Sequence, residues 1–323
     1  MSFQNSLNEL NKEQPKHAFR ARKIPDCEGV LLGLDSENCV CFFIKALERT
    51  FSPSIKTDKL QIDFSKEYML YISSDQSERG IFHSIKCLSN DREEVQIFTR
   101  VMDSILSDSS MKLTIDSLNT TFFSLVNLFK IKPSQDFKKE RQGLWGELFF
   151  MKNNGGFLKW AEKWHTESTR TFDFSVDNKR IDIKSTVRPE RIHDFSHKQL
   201  FSIASDEIAI VSLILQEDDV GKSLKSLIEE AIVSLRGTPY YLRLERSVME
   251  VAMNGSDEGP KYNEAEATKN MAWFHVKNIP RFKSPEPEGV SGTRYRSDLT
   301  NTPRMSNEEI DLLLDSFGKI SES

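Results

Sequence analysis

Two aspartates and a lysine near the middle of the chain are spaced so that one β-hairpin could bring their side chains together. Asp173 is followed, after eight intervening residues, by Asp182 and Lys184. Residues 171–176 and 180–186 are rich in Phe, Val, Ile and Thr, and the Asp-Asn-Lys turn signal between them predicts a β-hairpin. Side chains two apart on a strand share a face, so Asp182 and Lys184 are expected on one side, within reach of Asp173.

Such an arrangement predicts a divalent metal site that supports hydrolysis. Two converging carboxylates repel each other unless a cation lies between them, and hard oxygen ligands suit Mg²⁺ or Mn²⁺. A bound metal polarises a phosphoryl oxygen and activates water, and a nearby ammonium stabilises the charge that develops in the transition state. The alternative is a hairpin that carries only surface salt bridges, which contribute little energy.

The helix predicted just before the hairpin carries an acid at a buried position. Leu144, Glu147, Leu148 and Met151 follow the i, i+3, i+4, i+7 pattern of an apolar helical stripe. A carboxylate on that stripe needs a partner or a metal. Glu147 is therefore a candidate third acid of the site; the alternative is a Glu at the rim of the stripe that reaches solvent or pairs with a neighbouring basic residue.

Together these residues resemble the PD-(D/E)XK nuclease superfamily. Glu147 lies on a predicted helix, Asp173 follows it, and Asp182-Ile183-Lys184 supplies the second acid and the lysine. Two positions depart from the usual pattern, since Phe replaces Pro before Asp173 and the second acid is Asp instead of Glu. The stretches G-L-W-G-E-L-F-F, D-I-K-S-T, H-D-F-S-H-K-Q-L and P-R-F…G-V…Y-R-S-D-L look like those of the bacterial PD-(D/E)XK motif proteins, which are found beside phage-defence and restriction-like genes.

The resemblance implies an α/β (α+β) fold with a restriction-endonuclease-like core, in which helices flank a mixed central sheet. It also implies a Mg²⁺-dependent endodeoxyribonuclease, Mn²⁺ being the alternative metal, that works in an anti-phage or restriction-like system. In this interpretation Glu147, Asp173, Asp182 and the Ile183 carbonyl hold the metal, and Lys184 is the catalytic lysine.

Contacts to DNA are predicted around the same hairpin. The basic and polar candidates are Lys179, Arg180, Arg188, Arg191, His193, Lys198 and Gln199. In several branches of the superfamily, a Gln soon after the lysine strand orients the site or contacts DNA. His193 and His197 lie four apart without a His-Glu-x-x-His pattern, so a structural or phosphate-contacting role is expected for them instead of zinc ligation. The alternative for the basic cluster is an ordinary solvated face.

Net charge shapes the expected partners. The chain carries a formal charge of −5, which argues against a protein that coats nucleic acid non-specifically. Weak intrinsic affinity for DNA, with recognition supplied by an ATPase or another defence-system subunit, fits this charge. A homodimer is favoured for double-strand cleavage because two-fold symmetry matches the duplex. The alternative function is a nuclease-fold subunit that binds DNA or partner proteins without cutting alone.

Composition indicates a globular chain. It has 323 residues, 38% of them hydrophobic and 29% charged, enough for a large core. No apolar run approaches the roughly 20 residues of a membrane helix, and the first residues lack a signal-peptide core, so a cytoplasmic location without membrane contact is expected. The four cysteines lack zinc-finger spacing and are expected to be buried small hydrophobes. Sequence signatures of nucleotide hydrolysis and acyl transfer are missing.

Changes in composition predict three segments. Residues 1–132 are expected to form an α+β domain with a small antiparallel sheet and two helices, residues 133–236 the nuclease-like core, and residues 237–323 a strand and loop extension with a terminal helix. Within these segments, strands are predicted at 60–64, 68–73, 207–215, 240–246 and 271–276, and a helix at 220–235.

Overall fold

The chain forms two compact units. The computed structural model describes residues 7, 10, 19–24, 27–46, 52–73, 76–107, 113–130, 137–166, 171–201, 207–251 and 259–318. The N-terminal unit contains Met1–Lys132 and Arg236–Met249, and the C-terminal unit contains Pro133–Leu235 and Glu250–Ser323. The predicted third segment, residues 237–323, is therefore divided between the two units. Among the helices of the described residues, none combines the length and the apolar composition needed to cross a bilayer.

The described residues contain fourteen strands and nine helices. The strands are β1 (Phe19–Lys23), β2 (Val30–Asp35), β3 (Val40–Lys45), β4 (Ile55–Lys56), β5 (Leu60–Tyr71), β6 (Ser77–Cys87), β7 (Phe174–Val176), β8 (Lys179–Thr186), β9 (Ile192–Ser196), β10 (Glu207–Ile214), β11 (Glu217–Ser223), β12 (Lys261–Tyr262), β13 (Ala272–His275) and β14 (Arg294–Asp298). The helices are α1 (Arg92–Ser107), α2 (Ile115–Phe129), α3 (Phe137–Asn153), α4 (Phe157–Ala161), α5 (His197–Leu200), α6 (Leu224–Leu235), α7 (Tyr241–Glu250), α8 (Glu264–Lys269) and α9 (Asn307–Gly318), with a 3₁₀ turn at Val276–Asn278.

The N-terminal sheet closes on itself. Its strand order is β1-β2-β3-β6-β5-β4, and β1 also pairs with β5 through Arg20 and Tyr71, which completes a barrel-like ring of five strands. The sequence predicts the antiparallel hairpins but not this closure. It also predicts two strands where β5 is continuous, because Ser65, with φ of 48°, lies in an irregular step of the β5–β6 pairing and interrupts the alternation of side chains.

The C-terminal sheet positions the candidate site. Its strand order is β13-β10-β8-β7, with β8 and β10 parallel and the other pairs antiparallel. The register sets Asp182 beside Ile210 and Lys184 beside Ser212, so these side chains share one face of the sheet. Ile181 and Ile183 point to the other face. This mixed sheet with flanking helices agrees with the predicted fold class.

Helix α3 packs against the face that carries Ile183. A Cβ at Gly146 would lie 3.4 Å from Leu213 and 3.5 Å from Ile183, so the glycine lets the helix backbone approach the strands closely. Behind it, the Phe150 ring packs 4.9 Å from Trp160 and 5.2 Å from Phe174. These aromatic contacts set the distance between α3 and the sheet, and therefore the position of Glu147.

Two predicted elements differ from the structure. Residues 240–246 are predicted as a strand, but all of them except Tyr240 belong to helix α7, whose buried residues include Tyr241, Leu244 and the charged Glu245. The strand prediction is wrong because an acid inside the apolar stripe hides the helical spacing. The helix predicted at 220–235 begins only at Leu224, because the preceding residues belong to β11.

Candidate active site

The predicted hairpin is confirmed, and it brings Asp173, which precedes its first strand, close to Asp182 on its second strand. Strands β7 and β8 pair antiparallel around a tight turn, with Phe174 opposite Ile181 and Val176 opposite Lys179. Asp177 in the turn has φ of 47°, a conformation that Asp tolerates better than most residues. Asp173 directly precedes β7, which places it near the middle of β8.

Asp182 and Lys184 form a buried ion pair on β8. The ammonium of Lys184 lies 2.9 Å from Oδ2 of Asp182, and the Asp182 residue is only 2% exposed. The amide of Gln199 donates to Oδ1 of Asp182 at 3.1 Å and to the Thr171 carbonyl at 3.1 Å. Gln199 therefore orients the acid in this structure. Its own position is set by α5, where Ser196 and Gln199 form a capping box.

Glu147 and Asp173 converge with a histidine that the sequence analysis did not select. Nε2 of His165 lies 3.0 Å from Oε2 of Glu147 and 3.9 Å from Oδ1 of Asp173. One ligand atom from each of the three residues lies within 4.8 Å of the other two. The indole of Trp164 donates to Glu147 Oε2 at 2.7 Å, which gives this half-buried acid one of the partners it requires.

Backbone hydrogen bonds hold this cluster together. The Ile183 N–H donates to Oδ2 of Asp173 at 2.6 Å, and the His165 N–H donates to the Asp173 carbonyl at 2.8 Å. Trp164 also forms an isolated antiparallel bridge with Phe174. Residues 163–165 therefore continue the hairpin on its outer side and carry His165 to the acids.

Burial, together with neighbouring acids, raises the pKa values of the two aspartates. Burial is the largest cause for Asp173, followed by the charges of Glu147 and Asp182, and its pKa lies well above the usual range. Burial also raises the pKa of Asp182, against the opposing effect of Lys184. Burial opposes the charge of Lys184, but Asp182 and Asp173 outweigh it and raise the pKa of the ammonium. The charged form of Lys184 is thus favoured, whereas burial and neighbouring acids disfavour the ionised forms of Asp173 and Asp182.

A cleft of about 550 Å³ opens beside these groups. Glu147, Asp173, Ile183 and Lys184 line it, whereas Asp182 lies behind Lys184 and does not. Its basic lining residues are Lys139, Lys184, Arg188, Arg294 and Arg296, with His193 beside them. A cleft lined by Glu147 and Asp173 together with several basic side chains is suited to a phosphate-bearing substrate.

The structure brings part of the predicted DNA-binding set to the cleft. Arg188 is exposed and lines it, and Gln199 lines it while bound to Asp182. Lys179 lies outside the cleft, 3.7 Å from Glu207, and Arg180 donates to the Asp177 carbonyl at 2.6 Å. Lys198, also exposed, lines an adjoining pocket.

Arg191 and His193 are buried. The Arg191 guanidinium donates to the Ser212 carbonyl at 2.7 Å and to the Asn270 carbonyl at 2.5 Å, so it ties strands together instead of facing solvent. His193 Nε2 lies 2.7 Å from Ser212 Oγ, and burial lowers the pKa of this histidine to about 4. His193 is therefore neutral near pH 7 and offers no cation to a phosphate. His197 pairs with the Tyr295 hydroxyl.

Distant segments supply basic residues that sequence reasoning did not place here. β14 pairs with β9, with Arg296 opposite Asp194, and Asp194 binds both Arg296, at 3.0 Å, and Lys139, at 3.1 Å. Arg294, two residues earlier on the same strand, reaches the cleft as well. The alternation of Arg and Tyr in R-Y-R-S-D is typical of a strand with its arginines on one face, but it does not indicate which strand it pairs with.

Comparison with known proteins identifies the family. A family model described as "Putative PD-(D/E)XK family member, (DUF4420)" matches residues 3–300. The chain belongs to this family. No curated protein and no solved structure matches it. The family assignment confirms the resemblance to the PD-(D/E)XK superfamily and indicates a nuclease-type core.

Enzymes of the PD-(D/E)XK type generally use divalent metals, and the residues of this DUF4420 member fit such an ion. Glu147 and Asp173 offer carboxylate oxygens next to the imidazole of His165, and all three residues are half-buried. Converging acids of this kind are stabilised by a bound cation. Asp182 and the Ile183 carbonyl stay predicted metal ligands. In this structure the carboxyl group of Asp182 contacts Lys184 and Gln199.

Proposed function

We propose that the protein is a divalent-metal-dependent DNA endonuclease of the PD-(D/E)XK type. The observation that carries this proposal is that Glu147, Asp173 and Lys184 line one cleft together with basic side chains, while Asp182 pairs with Lys184 beside it. Family membership supports phosphodiester hydrolysis over other reactions of a metal and a lysine.

Hydrolysis would proceed by attack of water on phosphorus. The oxygen of water forms a new P–O bond, the bond to the leaving sugar oxygen breaks, and that oxygen takes up a proton. With a cation bound at Glu147 and Asp173, the site gains a Lewis acid that polarises the phosphoryl oxygen and lowers the pKa of the attacking water. Lys184, fixed by Asp182, donates hydrogen bonds to the nucleophile or to the phosphoryl oxygen as negative charge develops.

The walls of the cleft would hold the DNA backbone. Arg188 and Arg294 are exposed and form no ion pair within the described part of the chain, so their guanidinium groups can bind phosphates. Lys139 and Arg296 share Asp194 and contribute less net charge. The footprint is therefore small, which agrees with the overall charge of −5 and favours weak intrinsic affinity for DNA.

Cleavage of plasmid DNA tests the proposal. Purified protein is incubated with supercoiled plasmid in Mg²⁺, in Mn²⁺ and in EDTA, alongside Lys184→Ala and Asp182→Ala. We expect metal-dependent nicking or linearisation, reduced about 100-fold or more in both variants, as expected for loss of a group that stabilises the transition state. Lys179→Ala is the matched control, because this lysine lies on the same strand but outside the cleft. Undiminished cleavage by Lys184→Ala would contradict the assignment of the site.

We also propose that a second subunit, such as an ATPase of a phage-defence or restriction-like system, delivers the DNA. The small basic footprint supports this dependence, and a homodimer would allow both strands to be cut. We expect cleavage to increase when the partner is added and still to require Lys184. Partner-dependent cleavage that persists in Lys184→Ala would instead support the alternative, in which this chain binds DNA or proteins and another subunit cuts.

A further inference from the structure

We propose that His165 is a ligand of the bound cation, and that the Glu147–His165–Asp173 donor set makes the site prefer Mn²⁺ to Mg²⁺. The inference rests on the proposed metal-dependent function and specifies the metal. It adds a nitrogen ligand to a site for which the sequence predicts oxygen ligands only.

The distances match those between ligands of one ion. Two ligands bound at about 2.1 Å lie about 3 Å apart when adjacent and about 4.2 Å apart when opposite. His165 Nε2 lies 3.0 Å from Glu147 and 3.9 Å from Asp173, and all three ligand atoms lie within 4.8 Å. Small side-chain rotations would therefore suffice to bring the three atoms onto one cation.

The surrounding structure fixes the histidine in this orientation. His165 has φ of 47°, in the left-handed region that costs a non-glycine residue about 1 kcal/mol or more. Its N–H bond to the Asp173 carbonyl holds this conformation, and its ring stacks on Trp164 with centroids 4.6 Å apart. Trp164 in turn donates to Glu147. Partners that orient ligands in this way are typical of metal sites.

The second aspartate is occupied elsewhere. Asp182 binds Lys184 and Gln199 with its two oxygens, and it does not line the cleft. His165 therefore supplies the third ligand atom close to Glu147 and Asp173, while Asp182 positions the catalytic lysine.

The donor set determines which cation binds best. Carboxylate and water ligands suit Mg²⁺, Ca²⁺ and Mn²⁺, whereas imidazole suits transition metals. Mn²⁺ accepts both types and binds a nitrogen-containing site more tightly than Mg²⁺ does, since Mg²⁺ demands oxygen ligands in near-ideal octahedral geometry. A site with one imidazole and two carboxylates should therefore prefer Mn²⁺ to Mg²⁺.

Electron paramagnetic resonance of Mn²⁺ bound to the full chain tests the inference without reference to catalysis. We expect a ¹⁴N coupling from a directly bound imidazole in the wild-type protein, and its loss in His165→Gln. Titration should show Mn²⁺ affinity lowered at least tenfold in this variant, and Mg²⁺ affinity changed less than threefold. Thermal unfolding in EDTA confirms that the variant is folded.

His275→Gln is the matched control, because His275 lies 3.1 Å from Glu309 in the same unit and forms a similar His–Glu pair away from the cleft. It should leave both the coupling and the affinity unchanged. Bound Mn²⁺ without ¹⁴N coupling in the wild type, or unaltered Mn²⁺ binding in His165→Gln, would overturn the inference.

The inference and the proposed function fail in different ways. Plasmid cleavage that needs Lys184, combined with unaltered Mn²⁺ binding in His165→Gln, would reject the ligand role and leave the nuclease standing. Nitrogen-coupled Mn²⁺ in a protein that cuts no DNA, alone or with its partner, would support the ligand role and reject the nuclease. A wild-type protein that binds no Mn²⁺ would reject the ligand role, and its plasmid assay would then decide the function separately.

Discussion

Glu147 and Glu245 occupy equivalent places in two different units, since each lies on the buried stripe of a helix. Glu245 on α7 is 1% exposed and binds the Arg100 guanidinium through both oxygens, at 2.8 and 3.0 Å, while Tyr241 donates to it at 2.6 Å. Glu147 on α3 binds Trp164 and His165, beside a second acid at Asp173.

The difference lies in how the charge is balanced. A full positive charge neutralises Glu245, and its hydrogen bonds are satisfied, as expected of a structural ion pair. In the candidate site, the carboxyl groups of Glu147, Asp173 and Asp182 lie near one ammonium, that of Lys184. Burial and neighbouring acids raise the pKa values of Asp173 and Asp182. Removal of the charge of Glu245 should therefore destabilise the N-terminal unit. Removal of a site acid from the C-terminal unit should instead reduce activity and relieve the repulsion between the remaining acids.

The largest effect is expected at the balanced pair. Glu245→Ala leaves the partly buried Arg100 and the Tyr241 hydroxyl without their acceptor, and should lower the free energy of unfolding by about 3 kcal/mol. Urea denaturation measures the change. The control is Glu67→Ala, which breaks the exposed Arg79–Glu67 pair and should cost less than about 1 kcal/mol. Equal losses from the two variants would contradict the comparison.

Glu147→Gln should act on function instead. We expect plasmid cleavage to fall about 100-fold, equivalent to about 2.7 kcal/mol of transition-state stabilisation. Stability in EDTA should not decrease by more than about 1 kcal/mol, since the amide still accepts from Trp164. Glu229→Gln, an exposed acid on α6, is the control for cleavage. A Glu147→Gln protein with full activity would place this acid with Glu245 as a structural group.

His193 gives a pH test of the buried site. Its pKa is depressed from 6.5 to about 4 by burial, so the folded state favours the neutral ring. The stabilisation is complete above about pH 6.5 and is lost as the pH falls towards 4, by about 2 kcal/mol between pH 7 and pH 5. His193→Asn should flatten the pH dependence of urea unfolding over this range. Lys198→Ala, a change at an exposed residue of α5, should retain it; an unchanged slope in His193→Asn would contradict the assignment.

The smallest effect is expected from relief of repulsion. Asp173→Asn removes one of three like charges, and should raise the free energy of unfolding in EDTA by about 1 kcal/mol near neutral pH. Mn²⁺ should then stabilise the wild type more than the variant. Thermal unfolding with and without Mn²⁺ measures both effects, with the exposed Asp311→Asn as control. A variant less stable than the wild type in EDTA would show that Asp173 is a structural acid.

Local sequence patterns predicted the elements that carry the chemistry. The hairpin around Asp177 and the apolar stripe of α3 that includes Glu147 depend on neighbouring residues, and the structure confirms both. The assignment of metal and catalytic roles to the acids and to Lys184 stays a prediction.

Features that depend on distant partners were not predictable in this way. His165 reaches the acids through a positive φ and a backbone pairing with the segment before β7, neither of which leaves a periodic signal. Arg294 joins the cleft through the β14–β9 pairing. Arg191, predicted as a DNA contact, is buried because it caps the carbonyls of Ser212 and Asn270.

The β14–β9 pairing also determines when the cleft is completed. Arg296 and its partner Asp194 are 102 residues apart, so a chain made from its N-terminus produces the hairpin and its acids well before β14. Contacts of such sequence separation form late in folding because a long loop must be closed first. Arg294 and Arg296 are consequently expected to join the cleft last, when the acid cluster and Lys184 are already in place.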